Sequence, residues 1–238
     1  MSNAPIKSPA GKPTAGAADA SSPAAGPLPR NRYVVYFAIA LLGCALDLAT
    51  KQSMFNWLGL PAAPFVHPND PEAIARWRGD PGLPHRWWLF EGRLGIETSV
   101  NRGALFGFGE GFWWLFATLS VVALVGIMVW LFAYKAAIDR WLTVALSFVS
   151  AGILGNLYDR LGLWDSTGLE PAYRHGVRDW ILFVWPESGL TMFNPWPNFN
   201  IADSLLVTGA IMLIVHAVVW RGDGDRASGA GSRTASSA

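Results

Sequence analysis

The sequence predicts an all-α membrane protein: four transmembrane helices with a small extracytoplasmic region of strand and interfacial helix. Three observations predict it. Hydrophobic residues make up 52% of the 238-residue chain and charged residues only 15%, against about 25% charged in soluble domains. Four apolar runs, at about 33–54, 112–134, 141–158 and 201–220, approach the roughly 20 residues that cross a bilayer. The 13 tryptophans gather near the ends of those runs and in the segments between them, where amphipathic rings settle at the headgroups. A net charge of +1 gives no footprint for nucleic acid. The single cysteine, Cys44, excludes an internal disulfide. The four histidines are scattered, without metal-ligand spacing, so neither a metal nor a cofactor is implied.

Residues 1–32 are rich in Ala, Pro, Gly and Ser and read as a disordered tail, as do residues 222–238. Between them lies one four-span domain, 33–221. The first span follows Arg30 and Arg32 and is interrupted near its far end by Asp47 and Lys51, which share a helix face at i and i+4. Two readings stand for the pair: a salt bridge at a helix end with Lys51 snorkelling to the surface, or a device that helps hold an active site open. Leu41-Leu-Gly-Cys44 resembles the cleavage and lipidation box of an exported leader. The apolar run continues past the cysteine, however, and a buried thiol is the better reading.

Residues 55–110 form a long loop with turn signals at Asn69-Asp-Pro and Gly79-Asp-Pro-Gly82. Its tryptophans suit a segment lying on the bilayer. Leu94–Val100 alternates as a short strand does, and leads into Asn101-Arg-Gly-Ala-Leu-Phe-Gly107. The second span, with Trp113 and Trp114 at one end and Trp130 and Tyr134 at the other, carries no charge and reads as scaffold. In the third span Ala151 and Gly155 form a small-xxx-small pair that admits a neighbouring helix. It ends in Gly155-Asn-Leu-Tyr-Asp-Arg160, which puts Asn156, Asp159 and Arg160 on one face. Residues 161–197 form the second loop, where Asp179 sits among Val177, Trp180, Ile181, Leu182 and Phe183. The fourth span begins at Ile201, so Asp203 falls in its first turn, with Asn200 placed to cap it. An acid at that depth is a functional-site hypothesis by default.

Four spans put both tails on one side and both loops on the other. Asp47, Lys51, Asn101, Asp159, Asp179 and Asp203 then all fall on the loop side. Lys and Arg divide evenly between the two sides, but those nearest the span ends (Arg30, Arg32, Lys135, Arg140, Arg221) favour cytoplasmic tails. Two aspartates meeting at a membrane surface suit aspartic-protease chemistry: adjacent carboxyls cannot both ionise easily, so the pair shares a proton and can activate water. Asp159 and Asp179 rank level as the partner of Asp203 on this reading.

Five ordered blocks bear a resemblance. Asp47-Leu-Ala-Thr-Lys51, Asn101-Arg-Gly-Ala-Leu-Phe-Gly107, Gly155-Asn-Leu-Tyr-Asp-Arg160, Val177-Arg-Asp-Trp-Ile181 and Phe199-Asn-Ile-Ala-Asp-Ser204 are similar to those of lipoprotein signal peptidase (signal peptidase II). That family consists of four-span aspartyl endopeptidases of the bacterial inner membrane. The resemblance implies a catalytic pair of Asp179 and Asp203. It implies supporting or substrate-binding roles for Asp47, Lys51, Asn101, Arg102, Gly103, Asn156, Asp159, Arg160 and Asn200. It further implies a diacylglyceryl-modified prolipoprotein as substrate, cut before the lipidated cysteine near the extracytoplasmic face, membrane lipid as partner, and inhibition by globomycin. The chain departs from the family in a longer first loop, an insertion at 161–175, and Arg178 and Trp180 where Val and Phe are more usual. Arg178 beside Asp179 is expected either to lower its pKa or to reach lipid headgroups. A small proton-coupled carrier using Asp47, Asp159 and Asp203 as a relay is the alternative, and a non-enzymatic scaffold a third reading.

Overall fold

A computed structural model describes residues 27–60, 86–103, 109–169, 171–185 and 196–234, with side chains up to residue 219. Four helices are long and apolar enough to cross a membrane. They are α1 (Arg30–Leu58), α2 (Trp113–Met128, continued by a π-helical turn Val129–Ala133), α3 (Arg140–Arg160) and α4 (Ile201–Thr234). In α4 the membrane-length apolar part is Ile201–Val219. The backbone beyond Trp220, whose composition reads as disordered, continues the helix to Thr234. Of the aromatics behind the interfacial segment expected in the 55–110 loop, Trp77 lies outside the described residues, while Trp87, Trp88 and Phe90 lie on a strand, Arg86–Phe90.

The third helix is the hub. Of its most apolar window 61% is buried, against 17% in α1 and 11% in α2 and α4. Small residues make that possible. Gly43 of α1 lies against Ala151, and a Cβ there would come within 2.8 Å of the alanine's own. A Cβ on Gly152 would collide with the Ala202 carbonyl of α4, and one on Gly155 with the Asp47 carboxylate. The small pair read from the sequence is therefore a seat for α1: Ala151 receives Gly43, and Gly155 receives the Asp47 carboxylate. Hydroxyls inside the bundle are satisfied locally or across helices, as burial requires. Ser147 donates to the Thr143 carbonyl at 2.6 Å, and Tyr36 Oη and Ser150 Oγ bond at 2.8 Å. Most of the outward apolar side chains of α1, α2 and α4, such as Leu42, Val122 and Val218, stay exposed, the state lipid-facing residues need.

At the loop end the chain builds a four-stranded antiparallel sheet in the order β1-β2-β3-β4. The strands are β1 (Arg86–Phe90), β2 (Leu94–Asn101), β3 (Val177–Phe183) and β4 (Trp196–Phe199). The alternation at 94–100 is thus a strand, and it pairs with β3 so that Ser99 faces Asp179. Pro197 sits on β4, an edge strand, where its missing N–H breaks no ladder. β4 then runs into Asn200 and the first turn of α4, so the sheet and the fourth helix join at the polar end of the bundle.

Candidate active site

Asp203 and Asn200 cap one helix reciprocally. The Asp203 amide donates to Asn200 Oδ1 at 3.0 Å, and the Asn200 amide donates to Asp203 Oδ2 at 3.1 Å. This is a capping box with Asn at the N-cap and Asp at N3. The sequence predicts Asn200 as the cap; the reciprocal bond, which fixes the carboxylate of Asp203, is seen only in the structure. Asn200 is wholly buried and its side-chain amide reaches further, donating to Asp179 Oδ1 at 2.6 Å. One asparagine therefore holds both aspartates, one through its backbone and the other through its side chain. Asn156 completes the grip on Asp203, donating to Oδ1 at 2.8 Å.

Behind this pair lies a layer of paired charge. Lys51 is fully buried and does not snorkel. Its ammonium meets Asp47 Oδ2 at 2.7 Å, Asp159 Oδ2 at 3.1 Å and Asn156 Oδ1 at 3.1 Å. Three acceptors match its three donors. Asp47 in turn accepts the Ala202 amide at 2.8 Å, a free N–H of the first turn of α4 near the positive end of the helix dipole. The Asp47–Lys51 pair thus pins the start of α4, and with it Asp203, to α1.

Arg178 has neither of the orientations expected of it. It is 2% exposed, away from headgroups, and it does not pair with Asp179. Neighbouring strand residues point to opposite faces. The guanidinium forks onto Asp159 Oδ1 at 3.0 and 2.8 Å, while the Arg178 amide donates to Asp159 Oδ2 at 3.0 Å. Asp159 is consumed by Arg178 and Lys51, which separates it from Asp179 as a partner for Asp203. Asp179, also 2% exposed, has its pKa raised well above the usual carboxylate range. Burial is the main cause and the nearby charge of Asp203 the next, with Lys51 and the Asn200 hydrogen bond opposing.

The remaining candidates divide. Arg160 donates to the Gly103 carbonyl at 3.4 Å, lies over the Phe116 ring and feels the charges of Asp179 and Asp203. Asn101 accepts the Gly103 amide at 3.0 Å and shapes the turn rather than touching the aspartates. Arg102 pairs with Glu110 at 2.9 Å and stacks over Tyr173. Residues 104–108 of that block lie outside the described residues. Sequence reasoning missed Gln52, which accepts from Arg178 at 3.2 Å, and Trp164, whose ring lies 5.2 Å from the guanidinium carbon. Gln52 lies one residue from Lys51 but gave no pattern of its own, and Trp164 was indistinguishable from the other loop tryptophans. Among the described residues no three His, Cys, Asp or Glu side chains gather as a metal-holding group.

Two carboxyls converging from a strand and a helix start, at the polar end of a four-helix membrane fold, define the class: a membrane aspartic peptidase. The family model for signal peptidase (SPase) II matches residues 39–219, and the chain belongs to that family. It is 50% identical over 189 residues to the lipoprotein signal peptidase of Rhodopirellula baltica, covering 79% of this chain and 74% of that one. The lipoprotein signal peptidase of Pseudomonas aeruginosa is 36% identical over 137 residues, 55% of this chain and 70% of its own. Among solved structures, a bacterial membrane enzyme determined by the in meso method superimposes with a TM-score of 0.54 at 23% identity, over 78% of this chain and 88% of that chain. A second such structure gives 0.51 at 24%, over 77% and 92%, and both are likenesses of fold. Family membership sets aside the carrier and scaffold readings.

Proposed function

We propose that Asp179 and Asp203 are the catalytic dyad of this endopeptidase, which removes signal peptides from lipid-modified prolipoproteins. The observation that carries the assignment is Asn200, bonded to both carboxyl groups. Asp179, whose burial holds its proton, is the acid at rest, and the half-buried Asp203 is the base. Asp203 takes a proton from water as the oxygen attacks the scissile carbonyl, and Asp179 gives its proton to the carbonyl oxygen. The resulting gem-diol returns a proton to Asp179 as the C–N bond breaks, and Asp203 delivers its proton to the leaving amine. Asn200 and Asn156 aim the two carboxyls. Lys51, Arg178, Asp47 and Asp159 form the neutralised floor beneath them, and Arg160 supplies positive charge beside them. The scissile bond is the one before the diacylglyceryl-modified cysteine, whose acyl chains lie against the exposed apolar faces of the helices. Both termini are cytoplasmic, and the site lies near the extracytoplasmic face of a bacterial inner membrane.

Cleavage of a lipidated precursor by the reconstituted protein tests this. Asp179→Asn and Asp203→Asn each reduce turnover to background, and the double variant is no worse than either, because the pair works as a unit. Globomycin blocks the wild-type reaction. Near-wild-type turnover in either single variant, with the protein correctly inserted, refutes the dyad.

A further inference from the structure

The 161–175 stretch and Arg178 meet at one place, and neither is used by the dyad chemistry. Trp164, 6% exposed, packs edge-on against Phe55 of α1 at 5.9 Å and covers the Arg178 guanidinium. Beneath that cover Arg178 makes three bonds to Asp159 and one to Gln52, joining β3 to α3 and α1. Two guanidinium N–H groups on Asp159 Oδ1 and the backbone amide on Oδ2 fix angle as well as distance, and they act one residue before Asp179.

We propose that Arg178 is a positioning residue that, clamped on Asp159 under Trp164, sets where β3 delivers the Asp179 carboxyl. The inference rests on the dyad reading. Two consequences follow from the geometry. Rotation or sliding of β3 against α3 would carry Asp179 away from Asn200, so the clamp acts on turnover rather than on substrate affinity. The clamp also balances charge: Asp47 and Asp159 are matched by Lys51 and Arg178. Without Arg178, Asp159 shares Lys51 with Asp47 and one buried negative charge is left over. Asp179 is faced by Asp203 from α4, Lys51 from α1, and Asp159 and Arg160 from α3. The excess negative charge would therefore make Asp179 harder to ionise.

Arg178→Gln, Arg178→Lys and Asp179→Asn, assayed side by side on a lipidated precursor across pH, test the proposal. In Arg178→Gln kcat falls at least tenfold with KM within twofold, and the alkaline limb of the kcat profile, where Asp179 loses its proton, moves to higher pH. Arg178→Lys keeps the charge but loses the fork, so its alkaline limb stays in place while kcat lies between those of the wild type and Arg178→Gln. A wild-type kcat in folded Arg178→Gln overturns the role of Arg178. So does a wild-type kcat in Arg178→Lys, which decides the matter if the glutamine variant does not fold. A silent Asp179→Asn beside such a result leaves the dyad standing, whereas an active Asp179→Asn removes the dyad itself.

Discussion

At Asp179 the neighbours act in opposite directions on one proton: burial and the Asp203 charge hold it, while Lys51 and Asn200 favour its release. The folded protein keeps that proton above the pH at which an unfolded chain loses it, roughly 3.9 for aspartate. Stability contributed by the protonated group is complete below that value and is lost as pH rises through the raised folded value. Asp179→Asn, which keeps the acceptor for Asn200 and cannot ionise, should therefore gain thermal stability over wild type at alkaline pH and little or none below the ordinary aspartate range. A difference independent of pH would contradict this account of the site. The cap at Asn200 and the Asp47–Lys51 pair were legible as residue types at helical spacing. The burial of Lys51 was not, because its acceptors on α3 lie 105 and 108 positions away in sequence. Arg178 was misread for a related reason. Adjacency to Asp179 suggested interaction with it, whereas strand geometry sends the two side chains to opposite faces.

Among the elements, α3 sets the spacing of the others. Its glycines lie where α1 and α4 come closest, and that approach lets the Ala202 amide reach Asp47. Gly152→Val would force α4 outward, because even a Cβ meets the Ala202 carbonyl and the Leu206 side chain. The expected cost is about 1–3 kcal/mol of stability, with cleavage falling further as the Asp47–Ala202 bond opens. Gly126→Ala on α2, where a Cβ meets nothing within 4 Å, serves as the control and should lower neither. Equal effects of the two changes on unfolding temperature and turnover would refute the close-packing argument. The spans themselves were readable because lipid demands long apolar helices. The four-stranded sheet was read only in part. β2 alternates, but β3 is buried along much of its length and carries its polar residues as ligands, so no period-2 pattern marks it.

For the whole molecule, an even number of spans gathers the polar residues at one end, and the same count determines which side that end faces. In a Cys44→Ala background, Leu89→Cys on β1 and Ile138→Cys in the α2–α3 link both offer exposed positions. A membrane-impermeant maleimide added to intact cells should label the first and not the second. The reverse pattern would place the site on the cytoplasmic face. Convergence of acids from α1, α3, β3 and α4 was inferable from topology alone, but topology leaves Asp159 level with Asp179, and it is the contacts of Asp159 with Lys51 and Arg178 that set the two apart. The most direct measurement of that sorting is infrared titration of the buried protonated carboxyl in the wild type and in Asp203→Asn. Coupling of the two carboxyls predicts that the band is lost in Asp179→Asn, and that its midpoint moves to lower pH once the Asp203 charge is gone. A midpoint unchanged in Asp203→Asn would show that the two carboxyls do not sense each other, and would contradict the account.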